Sequence, residues 1–160
     1  MLIVASADKR RISASRKKTG DFDQACYIES SGLLAAILEK DAAAIRSVRT
    51  AAQPVTSALT LTEANRAIVR GRATGRLTAD REREAIHTLQ TFEQRCTILV
   101  LSGDVLIRAG RPFPAEPIRT LDAIHLATLE QLGGAPQLVT ILTRDARVRE
   151  NALALGYNVE

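Results

Sequence analysis

Four carboxylates stand at positions in this 160-residue chain that point to chemistry: Glu29, Glu63, Asp122 and Asp145. Glu29 closes the apolar run Ala25-Cys26-Tyr27-Ile28. Glu63 follows the run at 55–59 and falls in the first turn of the helix predicted over 63–72. Asp122 falls in the first turn of a helix predicted after a Thr120 cap, and Asp145 lies just past the run at 138–142, close to Thr143. If those runs are strands of one sheet, all four acids gather where strands end and helices begin. Carboxylates brought together there repel one another at neutral pH, and their proton affinity rises unless a cation joins them. Oxygen donors without His or Cys favour Mg2+ or Mn2+ over Zn2+. A single acid at a helix start needs no site, because the macrodipole alone favours it by ~0.3–1 kcal/mol. That suffices for Asp104, at the start of a helix predicted over 103–109. It does not cover Glu29, which ends a strand, nor four acids at one mouth.

The elements that must hold these acids follow from the hydrophobic pattern. Short apolar runs at 25–28, 55–59, 97–101, 138–142 and 157–159 read as buried strands. Between them the apolar spacing turns helical: Leu33, Leu34, Ile37 and Leu38 behind Ser30 or Ser31 as cap, then 42–52, 63–72, 80–94, 103–109, 121–132 and 147–155. On the 80–94 helix, Ile86, Leu89, Gln90 and Phe92 are expected near the inner face. No hairpin signal and no repeat interrupts the alternation. The pattern predicts an α/β fold: a single three-layer α/β/α domain over 25–160, with a mostly parallel sheet of four to five strands. Ligands of such sheets sit at the carboxyl ends of strands, near the point where strand order reverses.

Composition narrows the partners. The chain has 22 Lys+Arg against 18 Asp+Glu, a formal charge of +4. Residues 1–20 hold six of the basic residues and a single acid, Asp8, which leaves 16 basic and 17 acidic residues elsewhere. The basicity is therefore a property of an N-terminal arm, residues 1–24, read as a flexible loop, and not of the domain. Such an arm is expected to add salt-sensitive, nonspecific affinity for a polyanion without supplying catalysis. Aromatics are 3%, with no Trp, so the core must be aliphatic and base stacking on aromatic platforms is disfavoured. Cys26 and Cys96 lack metal or redox spacing and read as free buried thiols. Nothing approaches ~18 uninterrupted apolar residues, so no membrane span is expected and a cytoplasmic location is inferred.

Four stretches in this order make the resemblance specific: Tyr27-Ile28-Glu29-Ser30-Ser31-Gly32-Leu33-Leu34; Ser57-Ala58-Leu59-Thr60-Leu61-Thr62-Glu63; Arg119-Thr120-Leu121-Asp122-Ala123-Ile124-His125-Leu126-Ala127; and Leu142-Thr143-Arg144-Asp145 with Ala154-Leu155-Gly156-Tyr157. Over about 26–160 the chain resembles PIN-domain proteins of the kind found as VapC-type ribonuclease toxins. The resemblance implies a metal-dependent endoribonuclease, with Mg2+ (or Mn2+) held by Glu29, Glu63, Asp122 and Asp145. It implies an RNA substrate, a cognate antitoxin whose C-terminal segment occupies the acidic groove, and a homodimer. The face formed by Leu33, Leu34, Ile37 and Leu38 with Ala67 and Ile68 could serve that dimer, although core packing uses the same residues.

Two features depart from the family pattern: Glu29 stands where Asp is usual, and residues 1–24 precede the first strand. Glu29 keeps a second reading alive, a PIN-fold module that binds RNA or protein with a weakened metal site and little catalysis. Ser30 and Thr143 sit beside site acids and either orient a carboxylate or a water, or simply cap helices. His125, one turn after Asp122, reads as a structural histidine packing behind the site more than as a general base, and His87 has no assigned role. Arg119, Arg144 and Arg66, with Arg70 a turn further on, are candidate phosphate contacts. A signalling receiver domain is excluded, since it requires a late Lys and the four here are Lys9, Lys17, Lys18 and Lys40.

Overall fold

The computed structural model describes residues 11–12, 22 and 24–160. Six strands form one sheet: β1 Arg11–Ile12, β2 Ala25–Ile28, β3 Gln53–Ser57, β4 Thr97–Leu99, β5 Thr140–Leu142 and β6 Asn158–Val159. Seven α-helices join them: α1 Ser30–Ile37, α2 Ala42–Thr50, α3 Ala58–Ala73, α4 Ala79–Arg95, α5 Gly103–Ala109, α6 Thr120–Glu130 and α7 Ala146–Ala154. The strand order is β1-β4-β3-β2-β5-β6 and every pairing is parallel. From β2 the chain steps outward through β3 to β4, then returns to lay β5 against the other side of β2. The order therefore reverses between β2 and β5, where ligands of such sheets bind.

The strands read as continuous apolar runs because both sheet faces are covered. Ala25 and Tyr27 point into one core with Val55, Leu126, Leu129, Ile141 and Val148. Their neighbours Cys26 and Ile28 point into the opposite core with Leu33, Ile37, Ile68, Leu89, Phe92 and Leu142. Both cysteines are free and buried. Burial pushes the Cys26 thiol up to about 11, helped by the charge of Glu160. Burial likewise pushes Cys96 up to about 12. Both stay protonated near neutral pH, so neither supplies a nucleophile.

Several boundaries differ from the sequence expectation, each for a local reason. Ser57 Oγ accepts from the Thr60 amide at 3.0 Å and starts α3 at Ala58, five residues before the predicted start. Glu63 thus lies in the second turn of α3, where the macrodipole does not explain it. Arg119, not Thr120, is the N-cap of α6, and no side chain caps that end. The run at 138–142 splits into a 3-10 turn, Pro136–Leu138, and the three residues of β5. On α4 the inward face is Ala85, Leu89 and Phe92, while Ile86 and Gln90 face solvent.

The predicted dimer face is corrected as well. Leu33, Ile37 and Ile68 are at most 3% exposed and belong to the core of the protomer, and Leu34 and Leu38 pack against it. The sheet exceeds the expected four to five strands by β1, a two-residue edge strand inside the basic arm. The rest of that arm lies outside the described residues. No helix among the described residues is long and apolar enough to cross a membrane.

Candidate active site

Glu29 sits at the switch point, and its backbone explains why. Its amide donates to the Leu142 carbonyl at 3.1 Å, continuing the β2–β5 ladder by one residue. Its φ and ψ of −83° and 160° are extended, so the chain turns into α1 immediately after it. Glu29 is therefore the N-cap of α1, a capping role that sequence reasoning gave to Ser30 or Ser31. A carboxylate only 3% exposed must be satisfied by donors. Ser30 Oγ donates to Oε1 at 2.5 Å; the Ser31 amide (3.0 Å), Thr143 Oγ1 (2.9 Å) and Ser31 Oγ donate to Oε2.

Ser31 also binds the two sides of the switch point together. Its Oγ accepts from the amides of Arg144 (2.8 Å) and Asp145 (3.1 Å). The Asp145 amide is shared with Thr143 Oγ1 at 3.1 Å. Asp145 in turn caps α7, its Oδ1 accepting from the amides of Arg147 (2.8 Å) and Val148 (3.1 Å). The adjacent serines after an acid were the only signal in the sequence for Ser31, and capping was the only role they suggested.

Glu63 enters from α3 and meets a residue that was expected behind the site. His125 Nε2 lies 2.7 Å from Glu63 Oε2, 3.5 Å from Glu29 Oε1 and 3.4 Å from Ser30 Oγ. Its other nitrogen, Nδ1, lies 3.3 Å from the Tyr27 hydroxyl. One potential ligand atom from each of Glu29, Glu63 and His125 falls within 4.8 Å of the other two. Burial pushes the Glu63 carboxyl up, but the hydrogen bond and electrostatic pull of His125, with the Ser30 hydroxyl, outweigh it and hold the group below the usual range.

Asp122 is the strained member of the group. Its Oδ2 is buried and has no hydrogen-bond partner among the described residues. Burial raises its pKa first, then the charges of Asp145 and Glu29, against opposition from Arg119 and His125. Glu29 and Glu63 are thus brought within ligand reach of one another, whereas Asp122 and Asp145 lie outside that tight group and are tied to it through the charges of Asp145 and Glu29 on Asp122. An orphaned carboxylate oxygen beside two further acids fits a hard divalent cation, which relieves both the missing partner and the repulsion. The donor set is not purely oxygen, however, since His125 Nε2 lies among the carboxylates.

The basic residues divide. Arg144 pairs with Asp41, the cap of α2, at 3.4 Å. Arg119 is exposed at the start of α6, one turn from Asp122, and Arg66 is exposed one turn after Glu63.

The chain matches the family model described as PIN domain over residues 26–153. It is 35% identical over 138 residues to Ribonuclease VapC35 of Mycobacterium tuberculosis (strain H37Rv), covering 83% of this chain and 93% of that protein. Ribonuclease VapC46 of the same strain is 35% identical over 137 residues, with 84% and 95% covered. Among solved structures, VapBC2 from Rickettsia felis, bound to a promoter DNA fragment, aligns with a TM-score of 0.58 at 12% identity, covering 85% of this chain and 97% of that one. VapBC-1 from nontypeable Haemophilus influenzae aligns with a TM-score of 0.55 at 11% identity, covering 85% and 96%. At such identities the structures speak for the fold alone.

Proposed function

Since the chain belongs to the PIN-domain family, we propose that it is a metal-dependent endoribonuclease, the toxin of a toxin–antitoxin pair, hydrolysing RNA phosphodiester bonds at the β2–β5 switch point. The observation that carries this reading is a buried, unpartnered Asp122 oxygen under the charges of Asp145 and Glu29, with Glu63 within ligand reach of Glu29.

Glu29, Glu63, Asp122 and Asp145 would hold Mg2+ or Mn2+. Such an ion, when bound, neutralises charge developing on the phosphoryl oxygens and acidifies the attacking water. Ser30, Ser31 and Thr143 fix Glu29 in one orientation before any ligand arrives, so little reorganisation is left for binding. Asp145 is held by the α7 amides, and its charge reaches Asp122. Arg119 and Arg66 flank the acids and are the residues to meet phosphates of the RNA backbone. The usual Asp is replaced by Glu29, which was the ground for reading a weakened binding module. The four donors that hold Glu29 support an intact site instead.

The toxin reading brings a cognate antitoxin, a cytoplasmic location and a homodimer. Self-association has to use apolar surface other than the buried face of α1; Leu106 and Ile107 on α5 are 52% and 60% exposed.

The test is cleavage of structured RNA with Mg2+ or Mn2+, comparing wild type with Asp122→Asn. Removing one ligand charge is expected to lower the rate by about 100-fold or more while the fold survives. Unchanged cleavage in the variant would sink the mechanism. RNA binding without cleavage under any divalent ion would favour the binding module.

A further inference from the structure

Behind the acids runs a chain of buried hydroxyls and one imidazole that the four carboxylates do not account for. Tyr27, Ser57 and Thr60 are fully buried and His125 is 1% exposed. The hydroxyls of Ser57 and Thr60 lie 3.2 Å from each other. Tyr27 faces His125 Nδ1, and His125 Nε2 faces Glu63.

The direction of each bond follows from the groups. A carboxylate only accepts, so Nε2 must carry the proton it shares with Glu63. A neutral ring protonated at Nε2 leaves a lone pair on Nδ1, and the Tyr27 hydroxyl that faces it is the donor. The imidazole is thereby set as the tautomer protonated at Nε2, with that N–H aimed at the site. The placement is built into the elements. Tyr27 is two residues before Glu29 and shares its side of the sheet. His125 is three residues after Asp122 and shares its face of α6.

We propose that Tyr27 and His125 are positioning residues, a buried relay that presents one N–H to Glu63 and holds its carboxylate beside Glu29. Glu63 needs such an anchor. It projects from the second turn of α3 on a long side chain, 26% exposed, and like charge drives it away from Glu29 toward water. Glu29 has four donors of its own, Ser30 among them, whereas Glu63 is held by His125. Fixing Glu63 sets the spacing of the donors before a cation binds, the role that groups behind metal ligands commonly play. The inference rests on the nuclease reading above, and its test is separable from it.

The full chain has two histidines, and His87 on α4 is exposed, so nitrogen NMR of 15N-histidine-labelled protein reads both rings without ambiguity. The metal-free protein is expected to show His125 protonated at Nε2 and unprotonated at Nδ1, and Tyr27→Phe is expected to disturb that pattern. A protonated Nδ1, or a ring unaffected by Tyr27→Phe, overturns the relay. Calorimetric titration with Mn2+ gives the second arm. His125→Leu is expected to weaken binding about 10–100-fold, the range for removing such a partner. His125→Gln, whose amide can replace the Nε2 donor, is expected to recover part of that loss. Equal binding by wild type and His125→Leu, or nitrogen coupling to Mn2+ in electron spin-echo spectra of the wild type, overturns the positioning role. If wild-type protein cleaves no RNA with any divalent ion, the nuclease reading fails while the tautomer result still decides the relay.

Discussion

Gly32 offers a sharp test of how the fold holds the site. It is the third residue of α1, and its φ is not in the left-handed region, so only space constrains it. A Cβ built there would lie 2.7 Å from Leu142 Cγ and 2.7 Å from the Leu142 carbonyl oxygen. Neither atom can retreat easily: Leu142 is fully buried, and its carbonyl accepts the Glu29 amide. Overpacking against such a wall costs about 2–3 kcal/mol. The helix preference of Ala over Gly offsets about 1 kcal/mol of that. Gly32→Ala is therefore expected to destabilise by about 1–2 kcal/mol, a fall in Tm of about 2–8 °C for a chain of this size. The sign is diagnostic, since an Ala in an uncrowded helix would stabilise. The displaced Leu142 carbonyl also pulls on Glu29 and, through Ser31, on Asp145. Mn2+ affinity and RNA cleavage measured well below the new Tm should fall by more than the stability loss explains. A variant with unchanged or raised Tm and wild-type cleavage would refute the claim that α1 is seated directly on β5.

Three further outcomes follow from the same contacts. Ser31→Ala removes the hydroxyl shared by Glu29, Arg144 and Asp145; denaturant unfolding should show a loss of about 1–3 kcal/mol, and Mn2+ titration a weaker site. Glu29→Asp restores the residue usual in the family but withdraws the carboxylate by one methylene from Ser30, Ser31 and Thr143. Cleavage is expected to fall, and a second change in those partners should be needed to recover it, as a double-mutant cycle would show. In the metal-free protein, Asp122 binds its proton more tightly folded than unfolded, so its effect on stability worsens as pH rises from the unfolded value through the raised one. Asp122→Asn should flatten that decline in Tm-versus-pH scans. Glu63 acts in the opposite sense: its stabilisation is present above its unfolded pKa and is lost as pH falls through the lowered value.

The sequence alone determined the layered α/β architecture and singled out the four acids proposed for the site. Both are local in origin. Strands buried on two faces must be continuous apolar runs, and acids placed where such runs end are visible without coordinates. The family likeness of the stretches around Glu29, Glu63, Asp122 and Asp145 is of the same linear kind. Even the Ser-Ser pair after Glu29 and the Asp122-to-His125 spacing were legible as letters, though not as contacts.

What each neighbour does was decided only by tertiary packing. Ser57 pulled the start of α3 back, so Glu63 became a second-turn residue whose reach toward Glu29 depends on His125, 62 residues away. Arg144, adjacent to a site acid in the chain, pairs with Asp41, 103 residues earlier in sequence. The apolar face of α1 was consumed by the protomer's own core. Hydrophobic periodicity says which face of an element is buried, but not against what; hydrogen-bond partners across the sheet are chosen by register, and register is a property of the assembled strands.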